Sequence, residues 1–191
     1  MIIGIDVDLT IVDPIWCEGG WFHHLAQNSH SYDKITLEKD FNNKQVNYNT
    51  CEYFDLKENF CPYDFWRSKN LYDNIKPYDD AITYINRLID DGYDVIFVSQ
   101  IKGDHLKSKT NMLKKYFPNV EGFIYTKEKH FVYTDIMIDD RHKVMNKVQF
   151  GTGVLFETEY TQCEDLLSDR VILKTNSWGE IYKMIRGEVV E

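Results

Sequence analysis

The sequence predicts a doubly wound α/β fold, in which helices flank a parallel sheet, with a helical insertion after the first strand. Short apolar runs rich in β-branched residues recur along the chain and end in polar or acidic residues. Such runs are typical of strands buried on both faces of a parallel sheet. Amphipathic helical patterns alternate with them, and one long aromatic-rich segment interrupts the alternation.

The apolar runs predict five strands. The three clearest are "IIGID" (2–6), "DVIFVS" (94–99) and "DIMIDD" (135–140), and "FIYT" (123–126) and "GVLFET" (153–158) are similar. Strands of one parallel sheet end at a common edge, so the polar residues that close these runs are expected to lie together.

Three segments between the strands have helical patterns. Residues 76–92 repeat apolar side chains on one face, carry Asp79 and Asp80 at the positive helix start, and end at Gly92. Residues 104–118 form a second amphipathic pattern, and residues 176–187 predict a helix near the end of the sequence.

The segment 14–75 breaks the alternation and is too long for an ordinary loop between strand and helix. Helical stretches occur around 15–27 and 62–70, and no convincing buried strand is visible. We therefore expect residues 1–13 and 76–191 to form the α/β core and residues 14–75 to form a small helical cap.

Composition narrows the class of partner. The chain has 191 residues, 43% of them hydrophobic, and a net charge of −9 without a lysine-rich run, which argues against a nucleic-acid partner. No apolar run reaches membrane-spanning length, and residues 1–5 already read as a strand rather than a targeting segment. We expect a cytoplasmic protein with a small-molecule substrate and no membrane partner, either monomeric or homodimeric. The cysteines lack regular spacing and are expected to be reduced: Cys17, Cys51, Cys61 and Cys163.

Chemically active side chains follow the clearest strands. The predicted sheet edge would collect Asp6, Asp8, Ser99, Asp139 and Asp140, and Lys129 lies ten residues before Asp139. Carboxylates at this density repel one another, so a hard divalent cation is expected among them, and Mg²⁺ prefers oxygen ligands. We expect Asp6, Asp8, Asp139 and Asp140 to supply the metal site, with Asp8 contributing its main-chain carbonyl.

A metal, a lysine and a hydroxyl together suit the transfer of a phosphoryl group. In this interpretation Asp6 attacks phosphorus to form an aspartyl-phosphate, and Asp8 protonates the leaving oxygen and then activates water. Ser99 holds the phosphoryl oxygens and Lys129 neutralises them. Four signals carry this prediction: the pair Asp6 and Asp8, Ser99, Lys129, and the pair Asp139 and Asp140. Each signal alone has a simpler structural explanation, such as a solvated turn or a helix cap. The prediction depends on all four occurring in order at strand ends.

These motifs resemble those of a known superfamily. Asp6-x-Asp8-x-Thr10, Ser99, Lys129 and Asp139-Asp140 are similar to the four motifs of the haloacid dehalogenase superfamily of phosphohydrolases, and the insertion resembles its C1 cap. Within that superfamily the sequence is most similar to the 5′(3′)-deoxyribonucleotidases, in the segments 65–81, 94–102 and 125–141.

The resemblance implies a Rossmann-like sheet and Mg²⁺-dependent removal of the 5′-phosphate, or of a 2′- or 3′-phosphate, from nucleoside monophosphates, with a preference for deoxy sugars. It also implies that Gln100 and Lys102 bind phosphate. Ser99-Gln100 replaces the family's Thr-Ser, and Leu9 stands where the family usually has glycine.

By the same resemblance the cap supplies a wall for the base and sugar. The candidates are its aromatic residues, although such side chains also build cores: Trp21, Phe54, Trp66 and Tyr72, with Phe22 and Tyr53.

Three alternatives remain open at this point. One is a phosphatase of nucleic-acid 3′ ends, another is a general small-molecule phosphatase, and the third is a catalytically silent protein that senses a nucleotide. The acidic charge and the covering cap argue against access by a polymer.

Overall fold

The computed structural model describes residues 1–101, 103–162 and 164–188. In chain order its strands and helices are β1 (Ile2–Ile5), α1 (Trp21–Gln27), β2 (Ser29–Tyr32), α2 (Lys34–Asn42), β3 (Phe54–Leu56), α3 (Asp64–Arg67), α4 (Asp79–Asp90), β4 (Asp94–Ser99), α5 (Leu106–Tyr116), β5 (Gly122–Tyr125), β6 (Ile136–Asp139), α6 (His142–Met145), β7 (Thr152–Phe156), β8 (Val171–Thr175) and α7 (Trp178–Ile185). Short 3₁₀ turns cover Thr50–Tyr53 and Lys129–Phe131.

A six-stranded parallel sheet forms the centre of the molecule, in the order β5-β4-β1-β6-β7-β8. The predicted α/β fold and its five strands are confirmed. The first strand lies in the middle, because β4 pairs on one side of it and β6 on the other. β8 was not predicted: Ile172 and Lys174 of this edge strand are exposed, so its sequence lacks a continuous buried run.

Helices cover the sheet where the amphipathic patterns placed them. Ile85 and Leu88 of α4 are fully buried, and α4 packs against α7. Trp178 at the start of α7 is also fully buried, and its Nε1 donates to the carbonyl oxygen of Thr10 at 3.2 Å. The last helix therefore packs directly behind the turn that follows β1.

The segment 14–75, which was predicted to form the cap and is called the cap below, lies between β1 and α4 and contains α1, α2 and α3. The expectation that this segment has helices and no strand is corrected by a small antiparallel sheet formed by β2 and β3. These strands were missed because they are three or four residues long and most of their side chains are exposed or half-buried. α2 was missed because it buries Leu37 alone among its residues.

Main-chain hydrogen bonds join the cap to the core. At the base of the insertion the N–H of Tyr78 donates to Ile11 at 2.9 Å, which joins the two core segments on either side of the cap. Farther along, the N–H of Val46 donates to Glu159 at 2.9 Å, and Val46 accepts from Thr161 at 2.8 Å. The core segments are thus joined at the base of the insertion, and the cap itself is held to the core near residue 160.

Two further expectations concern the state of the cysteines and the presence of membrane-spanning helices. Cys17, Cys51 and Cys61 are free thiols in the structure, and Cys163 lies outside the described residues. No helix in the described part of the chain is both long and apolar enough to cross a membrane.

Gly151 is required by the turn that leads into β7. Its φ is +58°, and a Cβ there would lie 2.0 Å from the carbonyl oxygen of Asp135, which accepts from Thr152 at 2.9 Å. We expect Gly151→Ala to lower the free energy of unfolding by at least about 2 kcal/mol, from left-handed strain and the clash. Urea denaturation measures the loss.

Gly122→Ala is the matched control, because nothing lies within 4 Å of a Cβ at that position. Its free energy of unfolding should stay within about 0.5 kcal/mol of the wild type. Equal effects of the two substitutions would refute the argument from the turn.

Candidate active site

The first strand and the turn after it carry two of the predicted carboxylates. The N–H of Asp6 donates to Ile138 of β6 at 2.9 Å, so the strand pairing extends to this residue. Beyond Asp8 the chain closes a tight turn, in which the N–H of Leu9 donates to Val12 at 2.8 Å. Asp6 is therefore held by the sheet and Asp8 by a compact turn.

Leu9 adopts the left-handed conformation, with φ +63°. For a residue with a side chain this conformation costs about 1–2 kcal/mol, whereas glycine adopts it without that cost. In this chain Leu9 is 8% exposed and belongs to the apolar core, so burial of its side chain offsets the strain.

Lys129 lies between two carboxylates. Its Nζ is 2.7 Å from Oδ1 of Asp6 and 2.7 Å from Oδ2 of Asp139. Burial disfavours the charged ammonium, but the negative charges of Asp139 and Asp6 outweigh this and raise the pKa of Lys129. The 3₁₀ turn thus delivers a permanent positive charge to the end of β1.

One lysine does not compensate the surrounding acids. Burial and the charges of Asp139 and Asp8 raise the pKa of Asp6 to about 6, although Lys129 opposes the shift. Burial and the charges of Asp139 and Asp6 raise the pKa of Asp140 well above its ordinary value. The protein alone therefore does not stabilise every one of these carboxylates in its charged form.

The same carboxylates fit a metal ion. Asp6, Asp139 and Asp140 each place an oxygen so that the three oxygens lie within 4.8 Å of one another. Both oxygens of Asp139 already accept hydrogen bonds, from Lys129 at 2.7 Å and from the N–H of Arg141 at 3.0 Å. Asp6 and Asp140 thus have the freer oxygens, and all-oxygen ligands with excess negative charge suit a hard divalent cation.

The side chain of Asp8 has different partners. Tyr72 donates its hydroxyl to Oδ1 at 2.6 Å, and Lys109 donates to Oδ2 at 2.7 Å. Burial favours the neutral carboxyl, but the charge of Lys109 and these hydrogen bonds outweigh it and hold the pKa of Asp8 below its ordinary value. The two predicted catalytic aspartates therefore have opposite pKa shifts.

Sequence reasoning missed Lys109. It is fully buried in α5, and it also donates to Oγ of Ser99 at 2.8 Å. A signal was present: Lys109 shares the buried face of the helix with Met112 and Leu113, three and four residues onward, where a solvated lysine is not expected.

Sequence reasoning also missed Tyr48 of the cap. Its hydroxyl donates to Oδ2 of Asp140 at 3.1 Å and accepts from Nε2 of Gln162 at 3.3 Å. Gln162 also donates to the main-chain oxygen of Asp140 at 3.1 Å. No periodic pattern marks this part of the sequence, so no signal could have indicated the contact.

Two of the predicted phosphate-binding residues, Ser99 and Gln100, lie at the end of β4. Ser99 is 1% exposed and is bonded to Lys109, and Gln100 follows it half-buried. Lys102 lies outside the described residues.

Four of the six cap candidates differ in their positions. Trp21 is buried inside the cap, donates its indole N–H to Thr50, and has its ring centroid 5.6 Å from that of the half-buried Trp66. Phe54 is likewise buried within the cap. Tyr72 reaches Asp8 directly. Contact of these side chains with a base or sugar remains a prediction.

Neutralising Asp6 should stabilise the metal-free protein. Because the pKa of Asp6 in the folded protein is about 6, above its ordinary 3.8, the stability linked to this proton is present at low pH and lost as the pH rises through about 6. In EDTA at pH 7.5, Asp6→Asn is expected to raise the free energy of unfolding by about 1–3 kcal/mol. Urea denaturation at pH 7.5 and at pH 4 measures the gain, which should vanish at the lower pH. A variant less stable than the wild type at pH 7.5 would contradict this.

A family model described as "5' nucleotidase, deoxy (Pyrimidine), cytosolic type C protein" matches residues 1–190. No curated protein matches.

Solved structures share the fold. A haloacid dehalogenase-superfamily hydrolase from Ehrlichia chaffeensis is 13% identical with a TM-score of 0.59, over 97% of this chain and 95% of that chain. A haloacid dehalogenase-like family hydrolase from Xanthomonas campestris is 11% identical with a TM-score of 0.51, over 97% and 94%. A dehalogenase with an intermediate complex is 10% identical with a TM-score of 0.58, over 95% of each chain.

At these identities the structural likeness establishes the fold alone, whereas the family model spans the chain from its first strand to its last helix. The protein therefore belongs to the family of deoxy (pyrimidine) 5′ nucleotidases of cytosolic type C, and it is a phosphoric monoester hydrolase with the haloacid dehalogenase fold.

Proposed function

We propose that the protein hydrolyses deoxyribonucleoside and ribonucleoside monophosphates through an aspartyl-phosphate on Asp6. The observation that carries the proposal is the ion-paired group of Asp6, Lys129 and Asp139 beside Asp8 and Ser99, in a chain that the nucleotidase family model covers. A nucleophile, an acid or base, a hydroxyl and a positive charge are the groups that transfer of a phosphoryl group needs.

In the first step an oxygen of Asp6 attacks phosphorus, and the bond from phosphorus to the nucleoside oxygen breaks. Asp8 gives its proton to that oxygen, and the nucleoside leaves. Asp8 takes up this proton as the phosphate dianion arrives, because added negative charge beside a carboxyl raises its pKa.

In the second step Asp8 acts as a base. Its carboxylate removes a proton from water, the water oxygen attacks phosphorus, and the bond to Asp6 breaks. Inorganic phosphate leaves, Asp6 is again a carboxylate, and Asp8 again holds a proton. Throughout, Lys129 and the hydroxyl of Ser99 stabilise the negative phosphoryl oxygens.

Asp6 and Asp140, supported by Asp139 and the main-chain carbonyl of Asp8, would hold Mg²⁺. When bound, the ion would offset the repulsion between the carboxylates and the phosphate, which amounts to roughly 4 kcal/mol per unit pair at about 4 Å and an effective dielectric near 20.

A screen of phosphate release tests the proposal. Deoxynucleoside 5′-monophosphates, their 3′ isomers, ribonucleotides, sugar phosphates and a 3′-phosphorylated oligonucleotide are compared at equal concentration with Mg²⁺. We expect the mononucleotides to be hydrolysed with the highest kcat/KM, deoxy forms first. Asp6→Asn should lower the rate by at least about 10³-fold, because the nucleophile is lost.

Other orders of preference support other functions. A faster reaction with sugar phosphates would indicate a general phosphatase, and a faster reaction with the oligonucleotide would indicate a nucleic-acid 3′-phosphatase. An active Asp6→Asn variant would disprove the assignment of the nucleophile.

Metal binding should depend on pH. Protons compete with Mg²⁺ for Asp6, whose pKa is about 6, and for Asp140, whose pKa is also raised. Adding Mg²⁺ should therefore raise Tm more at pH 7.5 than at pH 5.5, since apparent affinity falls by up to about tenfold per pH unit for each proton displaced.

Beryllium fluoride, which mimics the phosphoryl group on Asp6, should raise Tm further. Asp140→Asn is the matched control, and it should abolish the effect of Mg²⁺ while the metal-free protein remains folded. The same rise in Tm in this variant, or at both pH values, would argue against the proposed ligands.

A further inference from the structure

Lys109 is a charged group in the described part of the candidate active site that the proposed mechanism leaves without a role. Its ammonium is fully buried, with Nζ 2.7 Å from Oδ2 of Asp8 and 2.8 Å from Oγ of Ser99. An ammonium donates three hydrogen bonds and accepts none, so both oxygens act as acceptors.

The contact determines where the hydroxyl hydrogen of Ser99 can point. Because Oγ accepts from Lys109, its own hydrogen is directed away from that ammonium. Ser99 ends β4, at the sheet edge where Asp6 and Lys129 also lie, so the free hydrogen is available to a phosphoryl oxygen there. Lys109 thus makes Ser99 a donor toward the substrate.

The contact also fixes Asp8 on both sides. The side chain of Asp8 is 33% exposed, and one donor holds each of its oxygens: Tyr72 at 2.6 Å and Lys109 at 2.7 Å. Two fixed oxygens define the plane of the carboxyl group, while each keeps a second lone pair for a proton. A general acid needs this alignment, since it must lie within hydrogen-bond distance of the leaving oxygen.

The helix α5 supports both donors to Asp8, which are Tyr72 and Lys109. Ser108, the residue before Lys109, accepts from the N–H of Tyr72 at 3.0 Å and donates to Asp73 at 2.6 Å. Nζ of Lys109 lies 4.8 Å from the ring centroid of Tyr72. Ser108 therefore positions Tyr72, which in turn holds Asp8, and Lys109 holds Asp8 directly.

We propose that Lys109 is a positioning residue, which aligns Asp8 for proton transfer to the leaving oxygen and turns the hydroxyl hydrogen of Ser99 toward the phosphoryl group. The inference rests on the proposed role of Asp8 as the general acid. The rival role for Lys109 is direct binding of phosphate, and the two roles predict different kinetics.

The test compares Lys109→Met with the wild type on substrates that differ in their need for an acid. With a deoxynucleoside monophosphate, whose leaving oxygen needs a proton, kcat should fall by about 10²–10⁴-fold while KM changes less than about threefold. With p-nitrophenyl phosphate, whose nitrophenolate leaves without a proton, kcat should fall about tenfold or less. With phenyl phosphate, which has nearly the same shape as p-nitrophenyl phosphate, the loss of kcat should lie between the other two losses.

Three further variants separate positioning from folding. Lys107→Met, which changes an exposed lysine of the same helix, should retain wild-type rates on every substrate. Lys109→Arg should restore part of the lost kcat, because its guanidinium can still donate to both oxygens. Tyr72→Phe removes the hydroxyl that donates to Asp8. Its loss of kcat should depend on the leaving group in the same way but should be smaller than that of Lys109→Met. If Lys109→Met does not fold, as judged by Tm, the kinetics of Lys109→Arg and Tyr72→Phe test the positioning role instead.

A raised KM with unchanged kcat, or an equal loss on all three substrates, would overturn the positioning role. Failure of the proposed function is a separate outcome: a wild-type protein inactive on every nucleotide would still report on Lys109 through the two aryl phosphates. If the wild type hydrolyses the nucleotide but neither aryl phosphate, the nucleotide alone tests the role of Lys109: a loss in kcat supports positioning, and a rise in KM contradicts it.

Discussion

Excess negative charge at one edge of the sheet is the constraint on which the active site depends. In the described part of the chain, Asp6, Asp8, Asp139 and Asp140 face two buried ammonium groups, those of Lys109 and Lys129. Two negative charges are left over, and burial together with the neighbouring carboxylates raises the pKa of Asp6 and that of Asp140. A divalent cation would restore the balance, and this is the physical basis on which metal-assisted chemistry is proposed.

The two lysines divide the site into halves with different properties. Lys129 pairs with Asp6 and Asp139 on the side where a cation fits, whereas Lys109 pairs with Asp8 on the side where proton transfer is proposed. Two aspartates one residue apart thereby acquire opposite pKa shifts, one raised by burial and acidic neighbours and one lowered by its own lysine. Their different environments match different tasks, nucleophile and acid or base.

The cap is hydrogen-bonded to two carboxylates of the candidate active site. Tyr48 donates to Asp140, and Tyr72, where the chain returns from the cap, donates to Asp8. Main-chain hydrogen bonds of Val46 hold the cap to the core beside the first of these contacts. Any movement of the cap must therefore break or remake hydrogen bonds to the acids themselves, which links access to the site with its chemistry.

The sequence by itself determined the parallel sheet, because continuous apolar runs need burial on both faces, and it determined which carboxylates, hydroxyl and lysine meet, because the strands of a parallel sheet end at one edge. It could not determine β8 or the small sheet of the cap, whose exposed side chains leave no apolar run. Only the tertiary structure decided the partners of those carboxylates. Lys109 is 101 residues from Asp8, Tyr72 is 64 residues from it, and Tyr48 is 92 residues from Asp140. Contacts between such distant residues depend on how helix and cap pack, and no local spacing encodes that packing.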